Sequence, residues 1–140
     1  MVVARHRPDR RSGSQSERGS ASLEIAILGP ALLLMIFAVI QAGLWFYARN
    51  LALAAAQEGV DAARGYQASS DAGLTRAQAF LQRAAGDSLR DTTISAAGST
   101  STTVRIEVHG RCLSVLPGLP GLPVHQSAQG PVERFTVNQP

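Results

Sequence analysis

The chain has 140 residues and a formal net charge of +3 at pH 7, and all 13 of its basic residues are Arg. Eight of these Arg and seven acidic residues follow Tyr47, which gives this part of the chain a net charge of 8 − 7 = +1. Because the basic residues do not concentrate on a domain, nucleic-acid binding is not expected. Cys112 is the only cysteine, which excludes an intrachain disulfide, and the length allows one small domain beside a membrane helix.

Residues 1–19 form a polar leader with five Arg and two acids, a net charge of 5 − 2 = +3. The leader has no apolar periodicity, so we expect no regular structure in it. An excess of Arg beside an apolar segment predicts that this flank stays in the cytoplasm and that the opposite flank crosses the membrane.

An apolar run of 23 residues, Ile25 to Tyr47, contains no Asp, Glu, Lys or Arg. As an α-helix it would extend about 35 Å, enough to cross the roughly 30 Å hydrocarbon core of a bilayer. We therefore predict a transmembrane helix over residues 20–48. The competing interpretation is a secretory signal peptide cleaved after Ala54, but the apolar part of such a peptide normally spans only about 7–15 residues.

Two features at the start of this run admit two interpretations each. The carboxylate of Glu24 either stays among the lipid headgroups, favoured there by the helix dipole, or pairs with another charge. Gly29 and Pro30 predict a kink or a melted turn, because proline removes a backbone donor. That point is either a flexible site with a function or a proline that is simply tolerated in a membrane helix.

Residues 49–66 are rich in strong helix formers and predict an extracytoplasmic extension of the same helix. Small residues recur along it at intervals of four, three and four, which places them on one face and permits close helix approach. This small-residue seam would pack either on the protein's own domain or on the same helix of a neighbouring subunit. Its members are Ala52, Ala56, Gly59 and Ala63.

Residues 67–140 predict a small α+β domain with one short helix and a sheet of three or four strands. The clearest strand runs from Thr102 to His109, where Val104, Ile106 and Val108 alternate with polar residues. The other expected elements are a helix at 72–85 capped by Ser70 or Asp71, a short strand from 92 with a turn at Gly98, an extended segment at 112–116, a Pro-Gly-Leu loop at 117–123 and a last strand at 132–137.

No catalytic or metal-binding motif is apparent in the sequence. His6, His109 and His125 are the only histidines, and none stands at a metal-ligand spacing from a Cys or a second His. We therefore expect no enzyme activity, no cofactor, no metal and no small-molecule substrate.

Gly19, followed by Glu24 and then an unbroken apolar helix, resembles the class III signal of type IV pilin precursors. With the Ala-rich extension, the Val-Arg-Ile-Glu-Val strand, the Leu-Pro-Gly-Leu-Pro loop and the Val-Glu-Arg-Phe ending, the chain resembles the TadE-like family. These are minor pseudopilins of tight-adherence (Flp-type) pilus systems. The resemblance implies a pilin-like fold and cleavage between Gly19 and Ser20 by a prepilin peptidase. It also implies that Glu24 meets the new amino terminus of an adjacent subunit.

The resemblance further implies a non-catalytic membrane subunit whose partners are the prepilin peptidase, other pilins and pseudopilins, and a pilus assembly platform. The protein would lie in the cell membrane as a single-pass chain, or in a pilus. The alternative is an unprocessed, signal-anchored envelope protein whose exported domain binds a partner or the cell wall. The size of the mature chain separates these possibilities.

Overall fold

A computed structural model of the chain describes residues 14–65, 67–116 and 118–133, with side chains from residue 23 onward. Its elements are α1 (Ser14–Ala63), α2 (Ser70–Ala84), β1 (Leu89–Ser95), β2 (Thr103–Cys112) and β3 (Pro123–Pro131). The strands form one antiparallel sheet in the order β1-β2-β3. This arrangement confirms the predicted α+β fold: a long N-terminal helix, one short helix and a three-stranded sheet.

The chain divides into two compact units, one ending at Ala38 and one beginning at Val39. The first unit consists, where it is described, of the N-terminal part of α1. Its large apolar side chains from Leu23 onward are mostly exposed, and α1 is long and apolar enough to cross a membrane. This finding fits the predicted single-pass membrane protein.

The prediction that the leader has no regular structure is wrong for its described part. The helix begins at Ser14, so residues 14–19 of the leader are helical rather than irregular. Adding a residue to an established helix costs far less than starting one, so α1 extends over these polar residues. The helix is also continuous through Gly29 and Pro30, so the melted turn, one of the two alternatives predicted at this proline, is absent. A single proline removes one backbone hydrogen bond, and the strong helix formers around it maintain the helix.

The second unit, which we call the α+β unit, contains α1 from Val39 onward, α2 and the sheet. Helix α2 is capped by Ser69, one residue before the predicted caps, and the Ser69 side chain accepts a hydrogen bond from the Ala72 N–H (3.3 Å). The helix dipole is complemented by Asp71 in the first turn and Arg83 in the last. The chain then turns at Gly86, which has a positive φ of 49°.

Strand β2 is the centre of the sheet and follows the predicted alternation. Val104, Ile106 and Val108 are buried, whereas Thr103 and His109 on the other face are not. The turn at Gly98, with φ 83°, joins β1 to β2 as predicted. The sheet thus presents one apolar face to the helices and one polar face away from them.

Strand β3 was not predicted from the sequence. The sequence predicts a loop at 117–123 and a last strand at 132–137, but the strand is Pro123–Pro131. Residues 132 and 133 lie beyond it, and 134–137 fall outside the described residues. Val124 is the only buried apolar side chain in β3, so the strand carries almost no hydrophobic alternation. Its pairing with β2 places it in the sheet.

The core depends on a close approach between α1 and α2. A Cβ atom at Gly59 would lie 2.9 Å from the Gly73 carbonyl oxygen, and one at Gly73 would lie 2.6 Å from the Gly59 carbonyl oxygen. Ile106, which is fully buried, packs against the same two positions from β2. Only glycine allows the two backbones and this side chain to meet here.

The Gly73→Val substitution should therefore destabilise the α+β unit. The added side chain would displace the backbone of α1, and we expect a loss of about 2 kcal/mol or more in the free energy of unfolding. Thermal unfolding of the full chain in detergent micelles, followed by the fluorescence of Trp45, the single tryptophan, measures this. Gly43→Val is the matched control, since nothing lies within 4 Å of a Cβ there. Equal losses in the two variants would contradict the proposed packing.

Candidate functional site

The residues that sequence predicts for processing and assembly all lie on α1. Gly19 and Ser20 are in its first turns. Glu24 is exposed, and no described residue forms an ion pair or hydrogen bond with its carboxylate. Gly29 and Pro30 are exposed one turn or more further on. The structure thus leaves the Glu24 carboxylate accessible at the edge of an apolar helix surface.

The small-residue seam occupies the other end of α1 and is buried within the α+β unit. Ala52 and Ala56 are fully buried, Ala63 is nearly so, and Gly59 contacts α2 and β2 as described above. The contacts of Gly59 within the chain are with Gly73, Ala77 and Ile106. The seam is therefore not exposed to a neighbouring subunit.

Gln41 has a structural role that the sequence did not predict. It is the one strongly polar side chain of the apolar run, and it is buried. Its carboxamide nitrogen donates to the carbonyl oxygen of Leu113 (3.1 Å) and to the sulfur of Cys112 (3.3 Å). Its carboxamide oxygen accepts from the N–H of Val115 (3.0 Å). Both ends of the amide are thus satisfied by the chain that follows β2.

These contacts fix the loop at residues 113–116 and 118–122, which we call the anchored loop. It closes on itself where the Cys112 N–H donates to the Leu122 carbonyl (3.0 Å), and a Cβ at Gly121 would overlap the Cys112 carbonyl. One helical turn beyond Gln41, the indole N–H of Trp45 donates to the Pro123 carbonyl (3.0 Å). Helix α1 therefore holds the loop at both ends.

Cys112 ends β2 with its side chain buried, and it is a free cysteine. The burial favours a packing role for Cys112 over an intermolecular disulfide. Its sulfur also accepts the hydrogen bond from Gln41, a contact over 71 positions in the chain. No sequence pattern signals such a long-range contact.

The structure also assembles three titratable side chains that the sequence left apart. His109 on β2 and His125 on β3 are directly paired, with ring centroids 4.0 Å apart, and Glu107 lies beside them. The alternation of β2 places Glu107 and His109 on one face, but the position of His125 depends on the unrecognised strand β3. His6 lies outside the described residues.

The family model described as TadE-like protein matches residues 19–61 of the chain. This match confirms the predicted resemblance to the TadE-like family. The matched residues include Gly19, Glu24 and the apolar run, and the residues after 61 lie outside the match. Searches of curated proteins and of solved structures gave no match.

Replacement of Gln41 by Leu should loosen the anchored loop. The Leu113 carbonyl and the Val115 N–H would lose their partners, and we expect the free energy of unfolding to fall by about 2–3 kcal/mol. Fluorescence of Trp45 during denaturation in micelles reports this change directly. Gln57→Leu is the matched control, because Gln57 is exposed on the same helix. A Gln41→Leu variant as stable as the control would show that the carboxamide does not hold the loop.

Proposed function

We propose that the chain is a minor pseudopilin, a non-catalytic subunit of a tight-adherence (Flp-type) pilus or a related secretion system. The observation that carries this proposal is the family match, which begins at Gly19 and includes Glu24 and the whole apolar helix. In this proposal a prepilin peptidase cleaves between Gly19 and Ser20 on the cytoplasmic side. The α+β unit is exported, and the assembly platform then inserts the subunit among other pilins.

Glu24 supplies the docking chemistry. An unpaired carboxylate at the centre of a membrane helix costs on the order of 3 kcal/mol, and less near the end of the helix. Cleavage after Gly19 would create a positively charged amino group on Ser20 of each subunit. Pairing of this group with Glu24 of a neighbour offsets the cost of holding either charge in apolar surroundings. The exposure of Glu24 and its lack of a partner among the described residues support this role.

The apolar face of α1 supplies the packing surface. Large aliphatic side chains, among them Leu32, Leu33 and Ile36, are exposed in the first unit, whereas the small-residue seam is already occupied. Such a face is stable in a bilayer, and it is equally stable against the apolar helices of other pilins. The pseudopilin can therefore pass from membrane to filament without exposing that face to water.

The alternative function is an unprocessed, single-pass envelope protein anchored by α1, whose α+β unit binds a partner or the cell wall. The same apolar helix and the same excess of Arg before it would support this function. The two proposals differ in whether the leader is removed.

Processing is therefore the first measurement. We expect the protein from its native envelope to begin at Ser20 when the prepilin peptidase is present, and at Met1 when the peptidase gene is deleted. Gly19→Val should block cleavage, because valine would place a β-branched side chain at the cut, where glycine has no side chain. Gly29→Val, ten residues further along the same helix, is the control and should be processed normally. Intact mass and N-terminal sequencing distinguish these outcomes, and a start at Met1 in both strains would favour the signal-anchored alternative.

The docking role of Glu24 has a separate test. Glu24→Ala should leave membrane insertion and cleavage intact but lower recovery of the protein in sheared pili about tenfold, a loss of about 1.4 kcal/mol in docking free energy. Glu58→Ala is the matched control, since Glu58 is half-buried in the α+β unit and paired with Arg76. Quantitative immunoblots of membrane and pilus fractions measure the recovery of both variants. Normal recovery of the Glu24 variant would eliminate the docking role.

A further inference from the structure

The polar face of the sheet carries a cluster of one carboxylate and two imidazoles. The register of β2 with β3 sets His109 opposite His125, and their rings stack with an angle of 11° between the planes. Glu107 precedes His109 by two residues and so projects from the same face. The distance from the His109 Nε2 to the Glu107 Oε2 is 3.8 Å, and one ligand atom of each residue lies within 4.8 Å of the other two.

Ring stacking and a surface ion pair could account for parts of this cluster. Stacking involves only the two imidazole rings. The Glu107 carboxylate already forms an ion pair with Arg105 (2.8 Å). Neither interaction requires all three side chains to converge. The full set of two imidazoles and one carboxylate is instead a common donor set for zinc.

One shared ion requires the two rings to leave the stacked arrangement, because each imidazole lone pair lies in its ring plane and the two planes are nearly parallel. Zinc binds His nitrogen and carboxylate oxygen at about 2.0–2.2 Å, so ligand atoms around one ion are roughly 3–3.5 Å apart. The present separations of up to 4.8 Å must shrink by about 1–2 Å. His109 and His125 are exposed and can rotate, while the paired strands hold their backbones in place.

We propose that Glu107, His109 and His125 bind one divalent transition-metal ion, with Zn²⁺, Cu²⁺ and Ni²⁺ as the suitable class. Imidazole nitrogen favours these ions over Mg²⁺ and Ca²⁺, which take oxygen ligands. Three protein ligands leave at least one coordination position open at the sheet surface, where water or a side chain of another molecule can complete it. This proposal differs from the expectation from sequence that the chain has no metal site, and it is independent of the pilus function.

Zinc titration of the full-length chain tests the proposal. The protein is prepared in detergent micelles without a histidine tag, stripped with a chelator and titrated with ZnCl₂ by isothermal calorimetry. We expect one ion per chain, with no saturable binding of MgCl₂ or CaCl₂. His109→Gln and His125→Gln should each weaken binding at least tenfold, and Glu107→Gln should weaken it by a smaller factor. His6→Gln is the matched control and should bind as the parent chain does.

A second measurement tests the ligand set without relying on affinity. The electron paramagnetic resonance spectrum of the Cu²⁺-loaded chain should show coupling to two imidazole nitrogens, and to one in either His109→Gln or His125→Gln. The metal-free variants, followed by Trp45 fluorescence, should unfold as the parent chain does. This result excludes misfolding as the cause of lost binding. Three results would each overturn the proposal: no saturable zinc binding by the parent chain, equal weakening by His6→Gln, or a stoichiometry of one ion per two chains.

Discussion

The contact between the backbones of Gly59 and Gly73 is the constraint on which the α+β unit depends. It allows α1 to lie close enough to α2 for Ile106 of β2 to reach both helices. A residue with a Cβ at either glycine would separate the helices and open the centre of the core. One helix therefore serves two purposes: its C-terminal part completes a folded core, and its N-terminal part carries an exposed apolar surface.

Gln41 shows how a polar group is accommodated in a segment that is otherwise apolar. A carboxamide without partners in hydrocarbon would cost several kcal/mol. Here its oxygen and nitrogen bond to the anchored loop, so Gln41 belongs energetically to the α+β unit. With the bond from Trp45 to Pro123, this contact ties a loop rich in Pro and Gly to the helix. The loop gains a fixed position from two side chains of α1, not from its own sequence.

The elements with strong local signals were predictable and those set by distant pairing were not. The alternation in Val104, Ile106 and Val108 identified β2, and the helical spacing of apolar residues identified α2 to within two residues. Strand β3 has little apolar content, so only its partner β2 defines it. The pairing of His125 with His109 could not be predicted for the same reason, although Glu107 and His109 could be placed on the same face of β2. Gln41 was recognisable as unusual, but its partners lie more than 70 positions away.

The edges of the sheet have a consequence for how copies of this chain can associate. The strand β1 is interrupted by an irregularity between Arg90 and Thr93, and β3 begins and ends with prolines, Pro123 and Pro131, which have no backbone N–H to donate. Irregular or proline-bounded edges are poor templates for pairing with a strand from another molecule. Edge-to-edge pairing with another copy is therefore disfavoured at these positions of β1 and β3.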